Sequence, residues 1–142
     1  MTDEKFEVLK LEKHLCFPLY ACARETIKKY KPFLDQMDLT YTQYIAMAAL
    51  WEKKQLTVKE LGGMLYLDSG TLTPLLKKLE NKGYIFRKRS DEDERNLLIS
   101  LTEEGRQLKE AALHYHEKML QCVKLSPEEA DMLYRLLYKM LG

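Results

Sequence analysis

The chain has 142 residues, 46% hydrophobic and 32% charged, with 6 Gly and 4 Pro. That is one domain's worth of sequence, too short for a two-domain enzyme and too apolar for a disordered chain. The formal net charge of +1 carries no global mark of nucleic-acid binding, so such a function must lie in where the charges sit.

The longest uncharged stretch, Leu39 to Trp51, spans 13 residues, short of the about 20 that cross a bilayer. The charged N-terminus has no apolar signal core, and a cytoplasmic protein is expected. In that reducing compartment the three cysteines are no disulfide framework.

Val8, Leu11, Leu15, Leu19, Cys22 and Tyr30 recur at helical spacing and predict one face of a long first helix. Pro18 is expected to kink it and Pro32 to kink or end it. Thr40 to Gln43 is a capping box that starts a second helix through Ile45, Ala49 and Trp51. Thr57 to Glu60 is another, starting a short third helix with Leu61 and Leu65 inward. A fourth helix begins near Asp68-Ser69 and ends at Gly83, with Leu72, Leu75, Leu76 and Leu79 as its buried stripe. Tyr84 to Arg89 and Leu97 to Leu101 read as two strands joined by the polar loop Ser90 to Asn96, a β-hairpin with a charged tip. Thr102 caps a fifth helix with Leu108, Ala112, Tyr115, Met119 and Cys122 on one face. Ser126-Pro127-Glu128-Glu129 starts a sixth through Leu133, Leu137 and Met140.

The expected fold is mainly α with a small β-hairpin wing, a winged helix-turn-helix over residues 40–101 within a single domain, 1–142. The end helices, 1–36 and 103–142, carry wide apolar faces that a homodimer would bury.

Residues 57–89 hold seven bases (Lys59, Lys77, Lys78, Lys82, Arg87, Lys88, Arg89) against three acids (Glu60, Asp68, Glu80). A local excess serves phosphate contacts whatever the total charge. It also describes a solvated helix face, and charge alone leaves both readings open. Ser69, Gly70, Thr71 and Thr73 tip the balance toward duplex DNA. They make a slim, donor-rich helix start that suits major-groove entry. Arg95, at the hairpin tip, is placed to probe a minor groove.

The run Asp68-Ser69-Gly70-Thr71-Leu72-Thr73-Pro74-Leu75-Leu76-Lys77-Lys78-Leu79-Glu80 and the run Asp91 to Arg95, followed by Ile99 to Gly105, resemble the MarR family of dimeric winged-helix repressors. Asp93 and Arg95 match that family's wing-tip Asp-x-Arg, in which the Asp orients an Arg entering the minor groove. Leu15-Cys16-Phe17-Pro18-Leu19-Tyr20, Tyr30-Lys31-Pro32 and Leu39 to Tyr44 resemble its organic-hydroperoxide-sensing (OhrR-type) members. The resemblance is strong from Leu11 to Gly105; the last two helices match only in pattern. It implies that Cys16 is the peroxide-sensing thiol. Tyr30 and Tyr41, one of each pair coming from the other subunit, would hydrogen-bond near the thiolate, and Tyr20 would line the pocket. It further implies that oxidation shifts the dimer helices and the spacing of the recognition helices, so that DNA is released.

From composition alone, Cys16 reads as a small buried hydrophobe; the matched tyrosines turn the reading to sensing. The thiolate is the nucleophile, and hydrogen bonds to the sulfur favour it. Its first product is a sulfenic acid, which proceeds to a disulfide, a mixed disulfide or higher oxides. Cys22 falls on the apolar stripe and reads as core. Cys122 is open between core packing and an intersubunit disulfide with Cys16. Its surroundings, Met119 to Val123, depart from the family's two-cysteine pattern.

His14 with Cys16, or His114 and His116 with Cys122, offer metal-ligand types. Positions two apart on a helix diverge by about 200° and there is no Cys-x-x-Cys, so no metal is expected. No cofactor is implied. Three rival functions remain in view: a MarR-type regulator answering a small phenolic or apolar ligand or acting in global redox and virulence control, a thiol peroxidase, and a pure dimerisation protein, which the hydroxyl-rich helix start and the basic strand argue against. Against the second, the chain shows no further redox motif.

Overall fold

The computed structural model describes residues 3–89 and 97–142. Asp93, Arg95 and the rest of the expected hairpin tip lie outside the described residues.

The chain enters through two 3-10 helices, Glu4–Leu9 and Leu11–Lys13, and the first α-helix, α1, runs only from Cys16 to Gln36. The expected helix through Val8 and Leu11 is therefore corrected, and proline supplies the reason. Inside a continuous helix the Pro18 ring would meet the carbonyl of residue 14 and leave a bond unmade. With Cys16 as the first helical residue, Pro18 falls in the first turn, where its missing N–H would have no partner anyway. Pro18 thus fits the start of α1 and breaks nothing. Pro32 lies inside α1 and does not end it.

After α1 the chain reverses through Asp38, which takes a left-handed φ of 55°. The next helix, α2, spans Tyr41–Lys53, and its Thr40–Gln43 capping box closes with both reciprocal bonds. Thr57 and Glu60 do the same for α3, Val58–Leu65. The recognition-type helix α4 spans Ser69–Asn81. Gly83, at φ +83°, ends it: its N–H donates to Glu80 and that of Tyr84 to Leu79, the paired bonds of a left-handed helix stop.

Three strands make one antiparallel sheet, β1 (Gln55–Thr57), β2 (Ile85–Arg89) and β3 (Leu97–Leu101), in the order β1-β3-β2. Arg87 stands opposite Ile99, and Leu56 opposite Ile99 on the other side. The hairpin strands lie where the alternation puts them; β1 is an addition. The last two helices are α5 (Glu103–Leu120), capped by Thr102, and α6 (Pro127–Leu141), capped by Ser126.

The core gathers Met47 and Leu50 of α2, Leu61 of α3, the four stripe leucines of α4, and Leu56, Ile85 and Ile99 of the sheet. Only the C-terminal end of α1 reaches it, through Leu34. No residue of α6 is buried. Leu19 and Ile27 on α1 and Leu133, Tyr134 and Leu136 on α6 stay exposed. Among the described residues, no helix is long and apolar enough to cross a membrane.

Candidate nucleic-acid interface and thiol site

The amphipathic stripe of α4 fixes which side faces out. With Leu72, Leu75, Leu76 and Leu79 buried, Ser69, Gly70, Thr71, Thr73, Lys77 and Lys78 are all exposed on the opposite side. Asp68 caps the helix by accepting from the Thr71 N–H at 2.8 Å, and hydrogen bonding to the Thr71 side chain first, and to its backbone second, holds the Asp68 carboxyl below the usual range. Thr73 turns its hydroxyl back to the Ser69 carbonyl at 2.8 Å. Backbone N–H groups at the start of the helix, hydroxyls along its first turn and lysines further on thus form one polar, cationic face.

On the wing, Lys88 and Arg89 are exposed. Arg87 is placed differently. It points to the core side of β2, and its guanidinium is 3.0 Å from the Glu80 carboxylate of α4. By sequence, Arg87 counts among the free cations and Glu80 among the acids of residues 57–89, with nothing to pair them. The two lie seven residues apart across a helix end and a turn, a spacing with no local signature.

Cys16 is the first residue of α1 and is exposed. Tyr20, one turn on, is exposed too, and Arg24 donates to its hydroxyl at 3.3 Å with the guanidinium carbon 5.5 Å from the ring centre. Arg24 is absent from the sequence-based site, although its i, i+4 spacing from Tyr20 is a readable signal.

The other two tyrosines meet each other. Tyr30 and Tyr41 have ring centres 6.3 Å apart, Tyr41 and Tyr44 likewise, and Tyr44 stands edge-on to Trp51 at 6.2 Å. Burial pushes the Tyr30 hydroxyl above its ordinary value, with Tyr41, Cys122 and Tyr44 adding to it. Burial alone raises Tyr41. Both therefore remain O–H donors at neutral pH.

Within one chain this pair is far from the thiol. Fourteen residues of helix separate Cys16 from Tyr30, about 21 Å at the α-helical rise. Cys122 is close enough to Tyr30 to act on its hydroxyl, and so within one chain it lies beyond a disulfide's reach of Cys16. It lies past the end of α5, half-buried, with its thiol 3.6 Å from the Lys118 carbonyl, and so is not on the α5 face where its spacing puts it. Cys22 is likewise corrected. It is exposed, because the part of α1 that carries it projects beyond the core. It lines an apolar groove of about 490 Å³ between α1 and α6, with Leu19, Ile27, Tyr41, Leu133 and Leu137. Among the described residues, no three His, Cys, Asp or Glu side chains gather as a metal site.

Residues 28–112 match the family described as transcriptional regulator SarA/Rot. The organic hydroperoxide resistance transcriptional regulator of Bacillus subtilis is 53% identical over 139 residues, 98% of this chain and 95% of that protein. The HTH-type transcriptional regulator SarZ of Staphylococcus aureus is 48% identical over 121 residues, 85% of this chain and 82% of SarZ. Structures of AbfR from Staphylococcus epidermidis bound to DNA are similar throughout. The reduced form has a TM-score of 0.80 at 35% identity, covering 98% of this chain and 96% of that one. The overoxidised form has 0.79 at 36%, covering 96% of each. With its three-stranded wing, its capped recognition helix and this likeness along almost its whole length, the chain belongs to the MarR/SarA family of winged helix-turn-helix transcriptional regulators and is of the organic-hydroperoxide-resistance type.

Proposed function

We propose that this regulator works in the cytoplasm as a homodimer on duplex DNA, and that oxidation of Cys16 by an organic hydroperoxide makes it let go. The reading is carried by one observation: an exposed thiol at one end of α1 and a partly buried tyrosine pair about 21 Å away on a helix with an uncovered apolar face. Because Tyr30 and Tyr41 of one chain pack together, a second copy laid antiparallel along α1 brings both of them to Cys16, where the resemblance implies one tyrosine from each subunit, and covers the groove with α6. In that arrangement the hydroxyls donate toward the sulfur, and the start of α1 adds the partial positive charge of a helix N-terminus.

The chemistry balances simply. The thiolate attacks the terminal peroxide oxygen; an S–O bond forms, the O–O bond breaks, and the alkoxide leaves to become the alcohol. Cys16 becomes a sulfenic acid, which a thiol converts to a disulfide with loss of water. AbfR is bound to DNA in its overoxidised form as well as its reduced one, which favours a disulfide over higher oxides as the releasing product. The second thiol is either a small cellular thiol or Cys122 of the other chain. Ser69, Gly70, Thr71, Thr73, Lys77 and Lys78 take the major groove and its phosphates, Lys88, Arg89, Asp93 and Arg95 the wing contacts.

A gel shift on the DNA upstream of its own gene tests this, with reduced protein and protein treated with cumene hydroperoxide in the presence of a small thiol. Wild type releases on oxidation and Cys16→Ser stays bound. A Cys16→Ser protein that still lets go removes the proposal, and release of that variant by aromatic acids would make it a ligand-responsive regulator.

A further inference from the structure

One side chain fastens the end of α4 to the turn between α1 and α2. Lys82 closes α4, and its ammonium reaches back 44 positions to donate to the Asp38 carbonyl. It also donates to the Gln43 side-chain oxygen at 3.0 Å, with the Asp38 carboxylate 3.6 Å away. Gln43 is 3% exposed. The same Gln43 oxygen accepts from the backbone N–H of Thr40 at 3.0 Å, the bond that caps α2. The next residue is Tyr41, which begins α2 and packs against Tyr30.

We infer that Lys82 is the positioning residue that couples the tyrosine pair to the DNA-reading helix. The inference rests on the reading of Cys16, Tyr30 and Tyr41 given above. The first turn of α2 cannot shift on its own. Either the end of α4 goes with it, or a charge-assisted bond to a buried amide oxygen breaks. The far side of that helix end is held as well. Thr102, the cap of α5, donates its hydroxyl to the Gly83 carbonyl at 2.6 Å and its N–H to the Tyr84 carbonyl at 3.1 Å. The end of α4 is thus clamped between α5 and the α1–α2 turn. Displacing one anchor against the other tilts the recognition helix, and small tilts matter because the two half-site helices of a dimer must keep their spacing.

Lys82→Met keeps the stem and removes the ammonium; Lys82→Gln is a second removal and Lys82→Arg the conservative change. Three quantities are measured: thermal stability, the rate of Cys16 loss with cumene hydroperoxide, and affinity for the upstream duplex before and after oxidation. Lys82→Met and Lys82→Gln oxidise at the wild-type rate, yet their reduced-to-oxidised affinity ratio falls about fivefold or more. Lys82→Arg recovers part of it. A merely structural lysine would weaken both states alike and leave the ratio unchanged. An unchanged ratio in whichever of the two variants folds overturns the inference. Failure of the underlying reading looks different: Cys16→Ser would then respond to peroxide while Lys82 is intact.

Discussion

The Arg87 guanidinium lies 3.0 Å from the Glu80 carboxylate, bridging the end of α4 to the first wing strand. That bond holds the Glu80 carboxyl below the usual range, against partial desolvation that pushes it up. A carboxyl depressed by folding stabilises fully above its unfolded value, near 4.3, and loses that contribution as the pH falls through the folded value. Glu80→Gln is therefore expected to cost about 0.5–1 kcal/mol at neutral pH, a figure kept small because the pair is partly solvent-screened. The difference from wild type in urea unfolding shrinks below about pH 4. A constant difference across the acid range would show that the charge on Glu80 plays no part.

Trp51 donates its ring N–H to the Gly105 carbonyl at 2.8 Å and so joins α2 to the first turn of α5. Trp51→Phe keeps most of the packing and drops the bond. It should cost about 1 kcal/mol and lower the melting temperature by about 2–4 °C. Gly105→Ala is expected to cost more, about 1–3 kcal/mol, because a Cβ there runs into the backbone carbonyl of Tyr84. Thermal melts of the two variants check both the sizes and their order.

Tyr30→Phe and Tyr41→Phe remove one hydroxyl each and leave the rings packed together. If those hydroxyls donate to the Cys16 sulfur across the dimer, each variant reacts with cumene hydroperoxide about tenfold more slowly, the equivalent of one charge-assisted bond. Tyr44→Phe, in the same aromatic cluster, reacts at the wild-type rate. Stopped-flow or thiol-titration kinetics separate the three, and equal rates throughout would take the tyrosines out of the sensing site.

Lys77 and Arg87 belong together by charge, and the structure parts them. Lys77 is exposed on α4 while Arg87 is turned to Glu80. Lys77→Gln should lower the slope of log affinity against log salt by about 0.9 for each phosphate that is no longer neutralised, about 2 for a dimer. Arg87→Gln should leave the slope unchanged while weakening binding to the specific site. Fluorescence titrations over a salt series distinguish the two.

Much of this molecule is readable from residues close together in the chain. Thr40 with Gln43, Thr57 with Glu60 and Ser126 with Glu129 announce helix starts because each pair closes its bonds within one turn. The α4 stripe and its Gly83 stop are equally local, as are the exposed Ser69, Thr71 and Lys77 that follow from burying the leucines opposite. Cys16 and its three tyrosines are legible as residue types in a familiar order, and that order is all the sequence holds of the site.

What required the tertiary structure is whatever depends on partners remote in the chain or on a proline's fit. The apolar period from Val8 to Leu15 suits a helix, yet the backbone rule at Pro18 outranks it and α1 starts at Cys16. Strand β1 is three residues long and exists only because β3 offers it an edge. Arg87 is a free cation in the sequence and a bridge in the fold. Lys82 is one base among seven in residues 57–89 until the chain brings Asp38 and Gln43 beneath its ammonium. Side-chain type and short-range periodicity decided which elements form and which faces they turn outward. The meeting of elements distant in sequence decided which charges are left for DNA, because an ion pair or a shared hydrogen bond depends on distance in space, which no local pattern encodes.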